Sequence, residues 1–479
     1  MVVLAAVVVR AAFLGQPMRQ DEADTVVLFA MTPVRHIVTD TAIPNNHILH
    51  SLMVHVSMAL FGTSPWAVRL PAFLAGVLLV PLTFLAGRAF YSTLAGLFAA
   101  TIVAVSVPLV LFSTNARGYT LIASAALGCL LLLDRALSSN AWRTWLAWSA
   151  LAAFGAFVNP TMLYPVLGML LWAVLEIRTS HKSRPGRLRR LVIACVVSGV
   201  LAVVAYAPAI VVSGWRSIVS NGYVRPVAWS RFIDALRGFA SEYAGNVVAG
   251  WPLALQVILG LGLVVGVARH RHVARHRWPL VACVLVAAVA LVLLTRRPPF
   301  PRVLLYLLPM FALTAGAGLA WAIERVAAAR AALVGGVAAA LVAVGMAAWT
   351  IERRSPDRIT ETGIFTGADS MATSVAGMLR PDDVVAARWL AQGPVDYYLR
   401  RRGVVARFAG TNDSVRARAV LLVADDNDDT AVRVLSFRRL RGVDTAGLRE
   451  IARVPRGSVW IVDADSSGMA RRDSTTAPR

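Results

Sequence analysis

Apolar stretches of about twenty residues recur almost back to back from Met1 to Thr350, separated by short polar turns. That is the length a helix needs to cross roughly 30 Å of hydrocarbon. The pattern predicts eleven spans, at 1–14, 66–87, 93–112, 118–134, 142–158, 160–177, 188–212, 246–268, 278–295, 303–323 and 331–350. From Ile351 onward no stretch of that length appears, and short apolar runs alternate with polar turns as in a soluble domain. DDVVAARWLAQGPVDYYLRRRG (382–403) reads as a strand followed by a helix, and AVLLVAD (419–425) and GSVWIVDAD (457–465) as further buried strands. The expected architecture is an all-α polytopic membrane bundle over 1–350, a small α/β soluble domain over 351–465 and a disordered tail over 466–479.

Composition agrees with a membrane chain. Of 479 residues 57% are hydrophobic and only 15% charged, against about 25% charged in ordinary soluble domains. A net charge of +22 could suggest nucleic acid, but the Lys and Arg residues punctuate span ends instead of forming one basic stripe, so no nucleic-acid partner is expected. Cys129, Cys195 and Cys283 sit inside apolar segments without a paired or metal-ligand pattern and read as small buried hydrophobes.

Charge also orients the spans. Alternate loops are basic: Arg135 with Arg143, RTSHKSRPGRLRR (178–190), RHRHVARHR (269–277), and Arg325 with Arg330. The bias of Lys and Arg toward cytoplasmic loops faces these inward. Parity then puts the 15–65 loop, Asn115 to Arg117, the 213–245 and 296–302 loops and the C-terminal domain outside, in a multi-pass protein of the plasma (inner) membrane. Span one is short, with Arg10 inside it and Pro17 after it; it is tilted into a thin region, or the chain has lost residues before it.

Acids are scarce where the chain is greasy. Of the 26, seventeen fall at or after Glu352, and Asp21, Glu22, Asp24, Asp40, Asp234 and Glu242 are the ones predicted on outer loops. QDEADT (20–25) places three carboxylates just after span one, near low-dielectric surroundings that suit a general base. HILHSLMVHVSMALFG (47–62) is helix-like and suits an interfacial roof over the outer ends of the spans. STNARGY (113–119) and RRPPFPRVLLY (296–306) return Arg117, Arg296, Arg297 and Arg302 to that face, against the inside-positive bias. A guanidinium offers a planar donor fork to phosphate. Carboxylates and arginines together suit a reaction that takes a proton from one substrate and stabilises a phosphate leaving another. The 213–245 loop mixes Trp215, Arg216, Tyr223, Arg225, Trp229 and Arg237, as an interfacial aromatic belt does; taken as a whole it also suits a mobile cover over the donor.

DEADT (21–25), NNHILH (45–50), LFGTSPWAVRLPAFLAG (60–76), STNARGYTL (113–121) and PPFPRVLLYLLP (298–309), in that order, resemble the GT-C glycosyltransferases, in the branch of protein O-mannosyltransferases and lipid A aminoarabinose transferases. The resemblance covers roughly residues 13–325. It implies a membrane enzyme that transfers a sugar from a polyprenyl-phosphate donor to an outer-face acceptor (glycan, lipid or protein) by a single inverting displacement, with Asp21 as base and Glu22 beside it. It places Arg117, Arg302, Arg297, Tyr119 and Tyr306 at the donor phosphate, although snorkelling at a helix end explains Arg296 and Arg297 equally well, and Asp40, Asn46 and His47 on the acceptor side or its loop. Membrane lipids are further partners.

The chain departs from the resemblance at NNHILH, where many relatives carry a His-Pro-Pro turn. His47, His50 and His55 could be read as metal ligands, but only His47 and His50 share a face and no carboxylate falls at matching spacing. No metal ligand set is expected, and a divalent cation at the phosphate, used by some relatives, is left open. ADDNDDT (424–430) lacks the central Gly and terminal Glu of an EF-hand and reads as a solvated turn. The rival is a transporter or flippase, for which ionisable residues or broken helices near mid-membrane and repeated halves would be expected; a non-catalytic scaffold would tolerate loss of Asp21. The Ala, Val and Arg-rich usage is compatible with a high-GC bacterial source and cell-envelope acceptors.

Overall fold

The computed structural model describes every residue except 42, 180–185, 220–223, 426–428, 444 and 465–479. The predicted tail, Tyr223, the middle of the 178–190 loop and part of ADDNDDT lie outside the described residues. The chain divides into two compact units: one comprises Met1–Leu14, Pro33–Ser57 and Arg69–Ile359, the other Gly15–Thr32, Met58–Val68 and Thr360–Arg479.

The first unit is helical, and each of the eleven predicted segments is found as helix, though not all as one straight span. Five helices among the described residues are long and apolar enough to cross a membrane, or seven if each of two bent pairs counts once. Val2–Ala11 and Leu280–Thr295 are shorter, reaching about 15 and 24 Å at 1.5 Å per residue. Apolar length alone overstates straightness, because it does not register the breaks. Helices here approach closely through small residues: a Cβ on Gly318 would strike the backbone of Gly262, and one on Gly87 that of Gly96. In an apolar solvent such contact replaces the hydrophobic effect as the force between helices.

One break has a clear chemical cause. Thr93–Val105, capped by Ser92, is followed after Ser106 by Val107–Ser113 at 61°. Pro108 has no N–H, so the carbonyl of Ala104 loses its helical donor. Arg10, fully buried, supplies it: Nη1 donates to Ala104 O at 2.7 Å, Nη2 to Val103 O at 3.2 Å, and Nε to Ser113 Oγ at 3.0 Å. A Cβ on Gly76 would run into Ser113, so a third helix closes the same joint. The second break, 110° between Trp229–Val248 and Leu253–Ala268, turns at Gly250, whose φ of +72° favours glycine.

In the second unit four strands form a sheet in the order β1-β2-β4-β3: β1 Asp383–Ala387, β2 Arg418–Ala424, β3 Arg449–Val454 and β4 Gly457–Asp463. β1 and β2 are parallel, joined through the helix Trp389–Arg401, and the other pairings are antiparallel. The three strands read from the sequence are present. β3 was missed because it is an edge strand, mostly exposed and rich in charge, with a bulge between Glu450 and Ala452. The core packs Val384, Ala386, Leu421 and Val423 of the sheet against Val434 and Leu435.

Candidate functional site

The predicted residues fall into two sets, one in each unit. In the second unit, Asp21 and Glu22 begin the short helix Gln20–Thr25. Both are buried, at 6% and 0% exposure. Glu22 Oε1 accepts the backbone N–H of Arg19 at 2.9 Å, which gives that carboxylate a helix-capping task. Gln20 Nε2 reaches both oxygens of Asp24 at 2.9 Å.

The C-terminal segment holds this helix. The N–H of Gln20 donates to Gly363 O at 3.2 Å and that of Asp21 to Thr362 O at 3.3 Å. Met18 N donates to Tyr398 Oη at 3.2 Å, and Gly393 N to Gln20 Oε1 at 3.3 Å. At Gly393 a side chain would collide with Asp24 and Gln20. Nothing in the sequence pattern of 360–400 announces that task, since backbone carbonyls and a glycine carry most of it.

In the first unit, His47, Arg117, Tyr119 and Arg302 come together. His47 precedes the helix Ile48–Phe61; Arg117 follows Val107–Ser113, and Tyr119 opens Tyr119–Ser139. Gly118 donates its backbone N–H to His47 Nδ1 at 3.1 Å, and Arg117 Nη2 lies 3.5 Å from His47 Nε2. Arg117 Nη1 donates to Asn45 O at 3.2 Å. Tyr119 stacks edge-on against His47 at 5.1 Å, with the Arg117 guanidinium 5.8 Å from its ring centre. Its hydroxyl accepts from Arg302 Nε at 3.2 Å.

Burial, the neighbouring Arg117, His50 and Arg302 hold the His47 imidazolium pKa well below the usual range, so the ring is neutral. With Nδ1 accepting from Gly118, the single ring proton belongs on Nε2. Nε2–H and the Arg117 Nη2 are then two donors side by side, an arrangement that favours a shared acceptor. His50 is driven down to about 3 by burial and Arg117. Its two ring nitrogens, both amide atoms of Asn115 and the hydroxyl of Tyr306 are buried and have no hydrogen-bond partner among the described residues.

The remaining predicted residues take other places. Asn46 donates from Nδ2 to Ile37 O and Asp40 O and accepts from Ser51 Oγ, which staples the turn before Ile48–Phe61. Asp40 pairs with His36 at 3.4 Å. Arg297 is half-buried beyond Leu280–Thr295, while Arg296, at φ +53°, lies over Trp229 at 5.5 Å. Among the described residues no group of three His, Cys, Asp or Glu is placed to hold a metal. The His47 and His50 pair does not fit a cation, because the Arg117 guanidinium lies 3.5 Å from His47 Nε2 and its charge also acts on His50.

An apolar cavity of about 350 Å³ in the same unit is lined by Ile102, Leu109, Tyr243, Val247, Leu259 and Phe311 among others. Tyr243 links it to the Arg302 turn by donating its hydroxyl to Leu304 O at 3.3 Å. Tyr243 escaped the sequence reading, since its helix reads as an interfacial belt in which one tyrosine looks like another.

Residues 45–206 match the family model described as dolichyl-phosphate-mannose-protein mannosyltransferase. No curated protein matches the chain. Among solved structures, ArnT from Cupriavidus metallidurans in the apo state is 15% identical at a TM-score of 0.64, with 96% of each chain covered. The same protein bound to undecaprenyl phosphate gives 14% and 0.65, again with 96% of each chain covered. The Archaeoglobus fulgidus oligosaccharyltransferase tethered to an acceptor peptide gives 12% and 0.54, covering 85% of this chain and 63% of that one. The fold expected from the sequence, that of the GT-C glycosyltransferases, is therefore the fold of this chain.

Proposed function

We propose that this GT-C-fold chain is a membrane glycosyltransferase that moves one sugar from a polyprenyl phosphate to an extracytoplasmic acceptor, a cell-envelope glycan, glycolipid or protein. The observation that carries the reading is the pair of donors on His47 Nε2 and Arg117 Nη2, backed by Arg302 on Tyr119. Such a group suits the oxygens of a phosphodiester and then of the phosphate that leaves. The apolar cavity, tied to the Arg302 turn through Tyr243, suits an isoprenoid chain. The undecaprenyl phosphate bound by the similar ArnT supports the same donor class.

In the proposed reaction Asp21 takes the proton of an acceptor hydroxyl, and that oxygen attacks the anomeric carbon. The bond from that carbon to the phosphate oxygen breaks in the same step, with inversion, and polyprenyl phosphate departs. The capping bond on Glu22 favours Asp21 as the base. Tyr306, whose buried hydroxyl has no partner among the described residues, and Arg297 are proposed as further donor contacts. The carboxylates and the C-terminal domain are proposed to face outward from the inner membrane, with the basic loops in the cytoplasm.

A broken span could equally belong to a transporter, in which freed carbonyls bind ions. Here the carbonyls freed at Ser106 are taken up by Arg10, which makes the break a structural joint. The test is transfer of radiolabelled sugar by the reconstituted protein from a panel of polyprenyl-phosphate monosaccharides to membrane extract. Transfer from one donor of the panel is expected, and transfer from none would contradict the reading.

A further inference from the structure

At the end of the first unit that carries the basic loops, three arginines meet at one pocket of about 470 Å³. Arg88 stands in the last turn of Pro65–Phe90, Arg135 near the end of Tyr119–Ser139, and Arg275 in the turn before Leu280–Thr295. The first two need little explanation, since cations near helix C-termini complement the dipole and mark the basic side of a membrane. Arg275 is different, because its turn is pinned in place. Its N–H donates to Phe90 O at 2.9 Å. The neighbouring His276 ring packs on Phe90 and Trp172 at 4.5 and 5.0 Å, and Trp278 donates its backbone N–H to Glu176 Oε1 at 2.8 Å.

Those contacts hold the turn that carries Arg275 at the pocket, which Arg88 and Arg135 also line. None of the three makes an ion pair among the described residues. Asp134 also lines the pocket, but its carboxylate is engaged by His276 Nε2 at 3.2 Å. Three guanidiniums against one engaged carboxylate leave net positive charge in a small volume, which an anion relieves. The wall beside them is apolar, formed by Leu85, Leu131 and Leu132. A free ion gains nothing from leucines, whereas the first acyl carbons of a lipid do.

We propose that this pocket binds the phosphate headgroup of an anionic phospholipid from the leaflet at the basic end of the bundle, with guanidinium forks on the phosphate oxygens and acyl chain along the leucines. The site stands apart from the donor group and does not depend on the glycosyltransferase reading.

The experiment is native mass spectrometry of the full chain, delipidated in detergent and offered phosphatidylglycerol or phosphatidylcholine. The wild type should retain phosphatidylglycerol at least about fivefold better. The triple variant Arg88→Gln, Arg135→Gln, Arg275→Gln should bring that ratio close to one. A control that removes the same charge elsewhere on that end, Arg143→Gln, Arg325→Gln, Arg330→Gln, should keep the preference. Millimolar inorganic phosphate should not displace the lipid. Equal retention of the two lipids by wild type, an unchanged preference in the pocket variant, an equal loss in the control, or displacement by inorganic phosphate would each overturn the proposal. Size-exclusion profiles matching wild type establish that the variants are folded, and single substitutions at Arg88 and at Arg135 give the same readout if the triple variant is not.

Discussion

The backbone N–H of Gly118 points at Nδ1 of His47 across 3.1 Å, and this one bond decides what the other side of the ring offers. It puts the imidazole proton on Nε2, beside the Arg117 guanidinium. Because burial, the neighbouring Arg117, His50 and Arg302 keep the ring neutral, lowering the pH through the ordinary histidine range adds no charge there. Donor affinity should therefore show no histidine step between about pH 6 and 8. Arg117→Lys keeps the charge but loses the fork and should raise the donor KM roughly tenfold, with kcat changed less. A donor KM that falls steeply toward pH 6, or one unmoved in the lysine variant, would contradict this arrangement.

The helix bearing Asp21 is anchored by Gly363, whose carbonyl accepts from Gln20 and whose φ of +71° suits glycine. In Gly363→Ala the new methyl would also stand 2.9 Å from Gln20 Cβ. A left-handed alanine costs about 1–2 kcal/mol. Sugar transfer should drop about tenfold or more in this variant while the donor affinity stays near wild type, as measured by transfer kinetics beside undecaprenyl-phosphate binding. Equal loss of both would show a general folding defect instead.

Arg10→Met should loosen the joint at Ser106, since it strands the carbonyls of Val103 and Ala104 that Arg10 now serves. Each buried unpaired group costs about 1–3 kcal/mol. Backbone amide exchange should rise across residues 103–118, and little elsewhere. Unchanged exchange in that stretch would mean the bend holds itself.

In the second unit, Arg418 grips Asp383 through Nε at 2.9 Å and through Nη2, joining β1 to β2. Burial opposes ionisation of Asp383, but hydrogen bonds from Arg418 and the backbone N–H of Arg380 outweigh it and hold the carboxyl below its usual range. A folded-state pKa below the unfolded one stabilises above the ordinary aspartate value and is lost as pH falls beneath about 4. Asp383→Asn removes one partner of a buried pair and should cost roughly 3–5 kcal/mol. Exchange protection of the amides in β1 and β2 reports both effects, and protection independent of pH from 5 to 3 would refute the first.

The sequence carried the fold well where hydropathy carried the information. The predicted spans are helical, two of them across a break, and the buried strands at Val384, Leu421 and Ile461 lie where their apolar runs placed them. The joints were hidden, because an arginine serving the carbonyls freed by Pro108, or a glycine turning at 250, leaves no mark on a hydropathy pattern. At the site, STNARGY and the Pro-rich turn stood out in the sequence by their arginines, and the structure joins the two segments through Arg302 and Tyr119. The tie between His47 and Gly118 was not, since it depends on backbone geometry. Nor could the pattern foresee that Gly15–Thr32 shares a compact unit with the C-terminal strands.

The measurement that bears most directly on the proposed chemistry compares wild type with Asp21→Asn at equal expression, in transfer of labelled sugar from a polyprenyl phosphate. The substitution keeps the shape of the side chain and removes the base, so the rate should fall by about 10² or more while undecaprenyl-phosphate binding persists. Equal transfer by the two proteins would remove Asp21 from the reaction.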